Sequence, residues 1–323
     1  MDKKPTWVHK MNAYFKTGTP FFAVIPFDRM QGDVWGIEDS LAANIYFEIN
    51  SPPFNRNASC NLNELKVKAP TFEIYERQFN HVMHEIAHGN TYLLNLCTST
   101  EISADLNLAE LYEIAQARYK LYYQDKFVVF SPETFVRIEG DELRTFPMKG
   151  TIDARLPDAQ TRLREDEKEL AEHYTIVDLL RNDIGMVCDQ VDVKRFAYIE
   201  QLETSNGPIL QMSSEIVGKI SKQFLDKPGD LFYALLPAGS ITGAPKQKTV
   251  ELINRIENFE RGFYTGIMIH FDGQSFDSGV LIRFIEETHD GKFVFKSGGG
   301  ITYQSQLKKE YEEILKKIYI PVL

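Results

Sequence analysis

Lys149 sits in "RTFPMKGTIDARLPD" (144–158), between Pro147 and Gly150. Proline and glycine are what a turn needs, one fixing φ and the other freeing it. A lysine adds nothing to that turn. Its amine is either solvated or held in place as a nucleophile or cation. Two acidic pairs, Glu169 with Glu172 and Glu310 with Glu313, fall at i,i+3 on segments that read as helices, so each pair shares a face. Singly, such pairs read as solvated surface. If the two helices meet, their carboxylates make a hard-cation site of the kind Mg²⁺ uses, completed by substrate oxygens. Gly298, Gly299 and Gly300 follow a strand. They predict a tight turn, or a glycine nest whose N–H groups face an anion. "GSITGAPKQKT" (239–249) lacks the G-K-[ST] of a phosphate loop, and Pro245 interrupts it. It reads as a loop entering a helix, with Ser240, Thr242 and backbone amides available to an anion.

"HEIAH" (84–88) matches the H-E-x-x-H pattern of zinc peptidases, two imidazoles one helical turn apart beside a general base. Gly89 ends that helix at once and no H-x-x-G-x-x-H extension follows, so a further ligand would have to come from Glu110 or Glu113. Solvated helix surface is the preferred reading, and a zinc metallopeptidase is the alternative from another class. "IVDLLRNDIG" (176–185) ends an apolar helical run on Arg181, Asn182 and Asp183. Residue types alone assign these three no chemistry beyond a polar network.

The elements that must position these groups follow from pattern. "PFFAVIPF" and "NIYFEI" read as strands, and "FEIYERQFNHVMHEIAH" reads as a helix stopped by Gly89 and Asn90. "FVVFSPETFVRIEGDELRTFP" predicts a hairpin turning at Gly140-Asp141, and residues 162–183 keep one helical period. "VKRFAYIEQLE", "FYTGIMIHFDG", "FDSGVLIRFIEET" and "KFVFKSGGGI" read as strands, "SQLKKEYEEILKKIYI" as a last helix, and "NSPPFNRNASCNLNE" (50–64) as a polar loop. Strands and helices mix without strict alternation, which predicts an α+β fold with mainly antiparallel sheets. The 323 residues contain no repeat and no Gly/Ser linker, so a single domain is expected. No run of 18 apolar residues predicts a membrane span, and the N-terminus lacks the pattern of a signal peptide. Net charge is −10 with no basic tract, which argues against nucleic acid or an anionic membrane as partner. An anionic substrate would then need local cations or a metal. Cys60, Cys97 and Cys188 lack C-x-x-C spacing and fit a reducing cytoplasm.

Taken together, "FPMKGTIDARL", "LAEHYTIVDLLRNDIGMV", "GSITGAPKQKTVELI", "RGFYTGIM", "SGVLIRF", "SGGGI" and "EYEEI" resemble, in order and rough spacing, the chorismate-utilising enzymes. That family includes anthranilate synthase component I, aminodeoxychorismate synthase component I, isochorismate synthase and salicylate synthase. The resemblance runs from about Gly89 to the C-terminus, and residues 1–88 look divergent and shortened. It implies a sandwich of two facing, mainly antiparallel sheets flanked by helices. It implies Mg²⁺ on Glu172 and Glu313, with Glu169 and Glu310 behind them. It implies chorismate against Gly150, Thr151, Tyr264, Arg283 and the amides of Gly298 to Gly300. Relatives with a lysine at the position of Lys149 resemble aminodeoxychorismate synthases, in which that lysine is the proposed nucleophile; anthranilate synthase component I is the rival. In this resemblance Glu133 of "SPETF" matches the acid/base glutamate. Where many relatives carry a histidine before an S-x-x-x-G helix, this chain has Gln211, which hydrogen-bonds but carries no proton. The "LLES" signature of tryptophan-regulated members is not visible. None of the three cysteines resembles a glutaminase nucleophile, so ammonia is expected from a separate glutamine amidotransferase subunit, for a product leading to 4-aminobenzoate and folate.

Overall fold

The structure, a computed structural model, describes residues 4–50, 65–202 and 207–322. Its helices are α1 Thr6–Lys16, α2 Ile37–Ala42, α3 Phe72–Ala87, α4 Leu108–Ile114, α5 Ala159–Glu165, α6 Glu167–Gly185, α7 Pro228–Leu235, α8 Lys246–Ile256 and α9 Leu307–Lys316. Its strands are β1 Phe21–Ile25, β2 Asp33–Gly36, β3 Ile45–Ile49, β4 Leu65–Lys68, β5 Leu93–Ala104, β6 Tyr119–Tyr123, β7 Phe127–Ser131, β8 Thr134–Glu139 and β9 Glu142–Thr145. The series continues with β10 Met148–Asp153, β11 Cys188–Leu202, β12 Ile209–Ile220, β13 Gly243–Ala244, β14 Ile267–Phe271, β15 Ser275–Val280, β16 Phe284–Glu287 and β17 Phe293–Ile301.

Two antiparallel sheets form. The first runs β10-β12-β9-β8-β15-β14-β1-β2, with β11 also on β12, and the second runs β13-β5-β17-β16-β7-β6-β3, with β4 also on β5. Residues ahead of Gly89 supply β1 and β2 to one sheet and β3 and β4 to the other, so they are woven into the same fold.

Alternation along the strands explains how the sheets face each other. Phe22 and Val24 of β1 and Met268 of β14 meet Tyr119, Leu121, Phe127, Val129 and Phe284 of the second sheet in one buried cluster. Phe21, Ala23 and Ile25 point the other way, onto Trp7, Val8 and Met11 of α1 and Leu231, Phe232 and Leu235 of α7. A strand covered on both faces must be apolar throughout, which is why "FFAVI" is a continuous run. The outer face of the second sheet packs Tyr122, Val128, Phe130, Ile285 and Phe295 against α4 and Ile318 and Ile320.

The hairpin at Gly140-Asp141 forms as expected, with Glu139 opposite Glu142 and Gly140 at φ 60°. Two expectations change. The 162–183 period is broken at Asp166, whose side chain accepts from Glu169 N at 3.0 Å and starts a new helix, α6. The segment after Gln211, where the resemblance implies an S-x-x-x-G helix, is strand β12. It pairs with β9, β10 and β11, and those partners fix it as a strand. The loop expected at 50–64 lies, apart from Asn50, outside the described residues.

Candidate active site

A cavity of about 290 Å³ opens where the sheets and helices α6 and α9 approach. Its wall includes Glu133, Lys149, Gly150, Thr151, Gln211, Ser240, Tyr264, Arg283, Gly298 to Gly300 and Glu313. Most of the residues singled out by motif are thus brought together from both sheets and distant parts of the chain.

Lys149 owes its position to a β-bulge. Met148 pairs with Ser213 and Thr151 with Gln211, so the register slips between them, and Gly150 takes φ 79°. A bulge re-aims a side chain that regular pairing would send elsewhere. A Cβ on Gly150 would lie 3.2 Å from Glu169 Oε2, which adds a second reason for glycine there. The Lys149 side chain is 37% exposed and its Nζ stands 3.6 Å from Glu172 Oε2.

Glu133 accepts a 2.6 Å hydrogen bond from Ser240 Oγ. Burial pushes its carboxyl pKa up, while Ser240, Lys149 and Lys317 oppose that rise. The charges on Lys149 and Lys317 therefore reach Glu133 within one site.

The two acidic pairs lie close enough for their charges to act on one another. Burial and the charge on Glu172 raise Glu169, and burial with Glu313 and Glu172 raises Glu310 against a hydrogen bond from Ser305. The Glu313 side chain is about half exposed, and Lys317, 2.8 Å from its Oε1, holds its carboxyl below the usual range. Lys168 lies 3.2 Å from Glu172 Oε1. Lysines now neutralise Glu172 and Glu313, and a bound cation would take their place; the donor set is all carboxylate oxygen, which suits a hard cation, so the residues fit Mg²⁺. Among the described residues, no three His, Cys, Asp or Glu side chains are already gathered as ligands of one ion.

Among the described residues, the cavity atoms Gln211 Oε1, Arg283 Nε and Ser297 Oγ are buried and have no hydrogen-bond partner. Buried polar groups are nearly always paired, so a polar ligand is the natural complement. Arg283 is held by donation from Nη1 to Lys317 O at 2.6 Å and lies over the Tyr319 ring at 4.6 Å. Tyr264 is a buried wall residue whose hydroxyl pKa is driven far upward, first by burial, so it stays a neutral phenol.

Two expectations fail here. Thr242 is fully buried and donates to Ala238 O at 2.6 Å, so its hydroxyl serves its own turn and does not face the cavity. Gly298 to Gly300 form neither a turn nor a nest. They lie in β17, opposite Cys97, Leu96 and Asn95, and none has a positive φ. Space is what demands glycine. A Cβ on Gly298 would stand 2.5 Å from Cys97 Sγ and 2.8 Å from Asn95 Oδ1. Gly298→Ala is therefore expected to cost about 1–3 kcal/mol in a denaturant melt. Gly299→Ala, with nothing nearer than 3.7 Å, should cost far less.

"HEIAH" is helix surface. His84 and His88 are exposed and their rings lie 4.1 Å apart. The Glu85 carboxylate is engaged by Arg255 and by Asn90 at 2.6 Å, which leaves it no role as a base. Motif reading missed Asn95, Ser297 and Lys317. Asn95 is a lone polar residue in the apolar run "LLNLC", and that interruption is its sequence signal. Lys317 gives no such signal, because a lysine after a helix normally reads as solvated. A second space of about 260 Å³ shares Asn95, Lys149, Ile176, Ser240 and Gly300 with the first and adds Glu172 and Tyr303.

Residues 37–322 match the profile of chorismate binding enzymes, so the match begins well ahead of Gly89. A Haemophilus influenzae protein called uncharacterized and PabA-like is 47% identical over 321 residues, 98% of this chain and 96% of that protein. The aminodeoxychorismate synthase component 1 of Escherichia coli is 31% identical over 265 residues, 77% of this chain and 56% of its own. The component 1 of anthranilate synthase from Archaeoglobus fulgidus matches at a comparable 32%, over 78% of this chain and 62% of its own. The crystal structure titled as a 2,3-dihydroxybenzoate-specific isochorismate synthase from Bacillus anthracis superposes with TM-score 0.72 at 19% identity, over 98% of this chain and 88% of that one. With that profile spanning most of the chain and the fold shared, the chain belongs to the chorismate binding enzymes.

Proposed function

We propose that this protein acts as an aminodeoxychorismate synthase component I, converting chorismate and ammonia to 4-amino-4-deoxychorismate and water. The observation that carries this reading is Lys149, turned by its bulge into the cavity wall that also holds Glu133. In the first half-reaction, the neutral Lys149 amine bonds to C2 of chorismate. The ring double bond shifts and the C4–O bond breaks. Glu133 delivers its proton to the departing hydroxyl as water and regains one from the new secondary ammonium. In the second, ammonia bonds to C4, the double bond shifts back, the C2–N bond breaks, and the surplus ammonium proton passes to the departing lysine amine. Arg283, Ser297 and Gln211 offer unpaired polar atoms to the substrate's carboxylates and hydroxyl. Glu172 and Glu313 would hold Mg²⁺, backed by Glu169 and Glu310, and the ion when bound supplies counter-charge for a substrate carboxylate. A separate glutamine amidotransferase would supply ammonia. No described helix is long and apolar enough to cross a membrane.

Incubation with chorismate, Mg²⁺ and ammonium, followed by product analysis, tests the reading. Aminodeoxychorismate supports it, anthranilate moves the assignment to the rival synthase, and no turnover even with an amidotransferase added sinks both. Glu172→Gln together with Glu313→Gln should raise the Mg²⁺ needed for half-maximal rate by an order of magnitude or more; an unchanged Mg²⁺ response refutes the metal assignment. The pH dependence has a definite sign. Glu133 must carry a proton to act, so its raised pKa keeps it competent above the usual carboxylate range, and the rate falls as pH rises through that pKa. Glu133→Gln should lower kcat on the order of 10²-fold or more and remove this alkaline limb.

A further inference from the structure

Two buried ion pairs converge on one short turn. Gly239–Ile241 is a single 3-10 turn whose middle residue, Ser240, makes the 2.6 Å bond to Glu133. On one side, Asp183 Oδ2 accepts from Gly239 N at 3.0 Å, and Asp183 Oδ1 pairs with Lys246 Nζ at 3.0 Å. Lys246 also donates to Leu235 O at 2.8 Å. The two side chains are 12% and 19% exposed, and neither residue lines the two spaces that meet at Lys149. A Cβ on Gly239 would stand 2.4 Å from Asp183 Oδ2, so only glycine lets the carboxylate reach the turn. On the other side, Arg261 Nη1 donates to Ile241 O at 2.9 Å. Arg261 is locked to Glu257 by bonds of 2.9 and 2.6 Å, with both side chains almost wholly enclosed.

Charges in such places are costly, and apolar residues of similar volume often pack as well. Apolar substitutes would leave the Gly239 N–H and the Leu235 and Ile241 carbonyls without partners, so what the charges contribute is the position of this turn. We infer that Asp183 and Lys246, opposed by Arg261 and Glu257, clamp the Gly239–Ile241 turn so that Ser240 stays aimed at Glu133, which makes Asp183 a positioning residue for the acid. This rests on the reading of Glu133 as the acid. It also gives "RNDIG", which residue types alone left without chemistry, a task shared with "GSITGAPKQK".

The test reads Glu133 directly, without turnover. Its carboxyl is followed by ¹³C NMR across pH in the full chain, assigned with Glu133→Gln. The groups facing it are the Ser240 hydroxyl and the Lys149 and Lys317 amines. Donation from Ser240 favours the ionised carboxylate, so losing it must raise the Glu133 pKa further. Ser240→Ala should show that rise. Asp183→Leu with Lys246→Met, which removes both charges together, should show the same rise, and adding Ser240→Ala should bring no more. Its kcat should fall roughly tenfold or more with KM for chorismate little changed. A folded double variant with wild-type Glu133 titration and kcat, differing only in melting temperature, overturns the inference. Should that variant not fold, Asp183→Asn leaves an acceptor for Gly239 but unpairs Lys246; a smaller rise supports the clamp and an unmoved Glu133 overturns it. A wild-type protein that forms no aminodeoxychorismate refutes the functional reading and leaves this titration readable.

Discussion

Lys149→Ala is expected to lower aminodeoxychorismate formation on the order of 10³-fold or more in kcat while chorismate still binds. The reason is geometric and chemical. The amine is the group that the β10 bulge turns into the cavity, and its partner Glu172 lies on α6. Covalent attack splits one hard displacement into two easier ones, so removing the nucleophile forces ammonia to act alone. In the proposed reading chorismate is bound by other groups, including the unpaired atoms of Arg283 and Ser297, so its affinity should change little. Steady-state kinetics with ammonium, alongside equilibrium binding of chorismate, separates these quantities. Near-normal turnover by the alanine variant rules out an obligatory covalent amine. Loss of binding with kcat intact instead makes Lys149 a simple counter-ion.

Arg261→Ala should be the most destabilising single change considered, costing about 3–5 kcal/mol. It strands the Glu257 carboxylate, only 1% exposed, without its partner. It also removes the donors that Ile241 O and Asn95 O receive at 2.9 and 2.7 Å. At about 2 °C per kcal/mol for a long chain, the melting temperature should drop by roughly 6–10 °C. Arg261→Met with Glu257→Leu should recover most of that loss, because an apolar pair of similar volume avoids the desolvation cost. Activity should not recover with stability, since Ile241 O still lacks its anchor. Calorimetry on the single and double variants decides, and a single variant that melts within a degree of wild type contradicts the burial argument.

The sequence was informative where local pattern and tertiary environment agree. "FFAVI", the hairpin at Gly140 and helix α3 form because their own spacing suits the layers they join. Glu169, Glu172, Glu310 and Glu313 could be picked out as pairs, but only the fold brings the charge of Glu172 on α6 within reach of Glu310 on α9. Legibility failed where a neighbour decides. "SSEIVG" matches the S-x-x-x-G that the resemblance places on a helix, yet three pairing strands make it β12. The glycines at 298 to 300 looked like a flexible nest, whereas the Cys97 and Asn95 side chains beside Gly298 are what exclude a larger residue. Thr242 and Ser240 stand two residues apart in one loop, and only the direction of the turn sends one hydroxyl to Ala238 and the other to Glu133. Lys317 had no sequence signal, because its acceptor at Gly298 O is 19 residues away on another element.

Helix α6 bears Glu172 near one end and Asp183 near the other, with the candidate metal ligands at the first and the Ser240 turn at the second. Eleven residues make about three full helical turns, so the two carboxylates leave the same face of the helix roughly 16 Å apart. The helix is thereby a ruler of fixed length. Inserting or deleting one residue between them would rotate one carboxylate by about 100° relative to the other and uncouple the two ends. Substitutions along this span can be absorbed by repacking, but a change in its length cannot, and indel scanning of residues 173–182 should find a block intolerant of any single-residue shift.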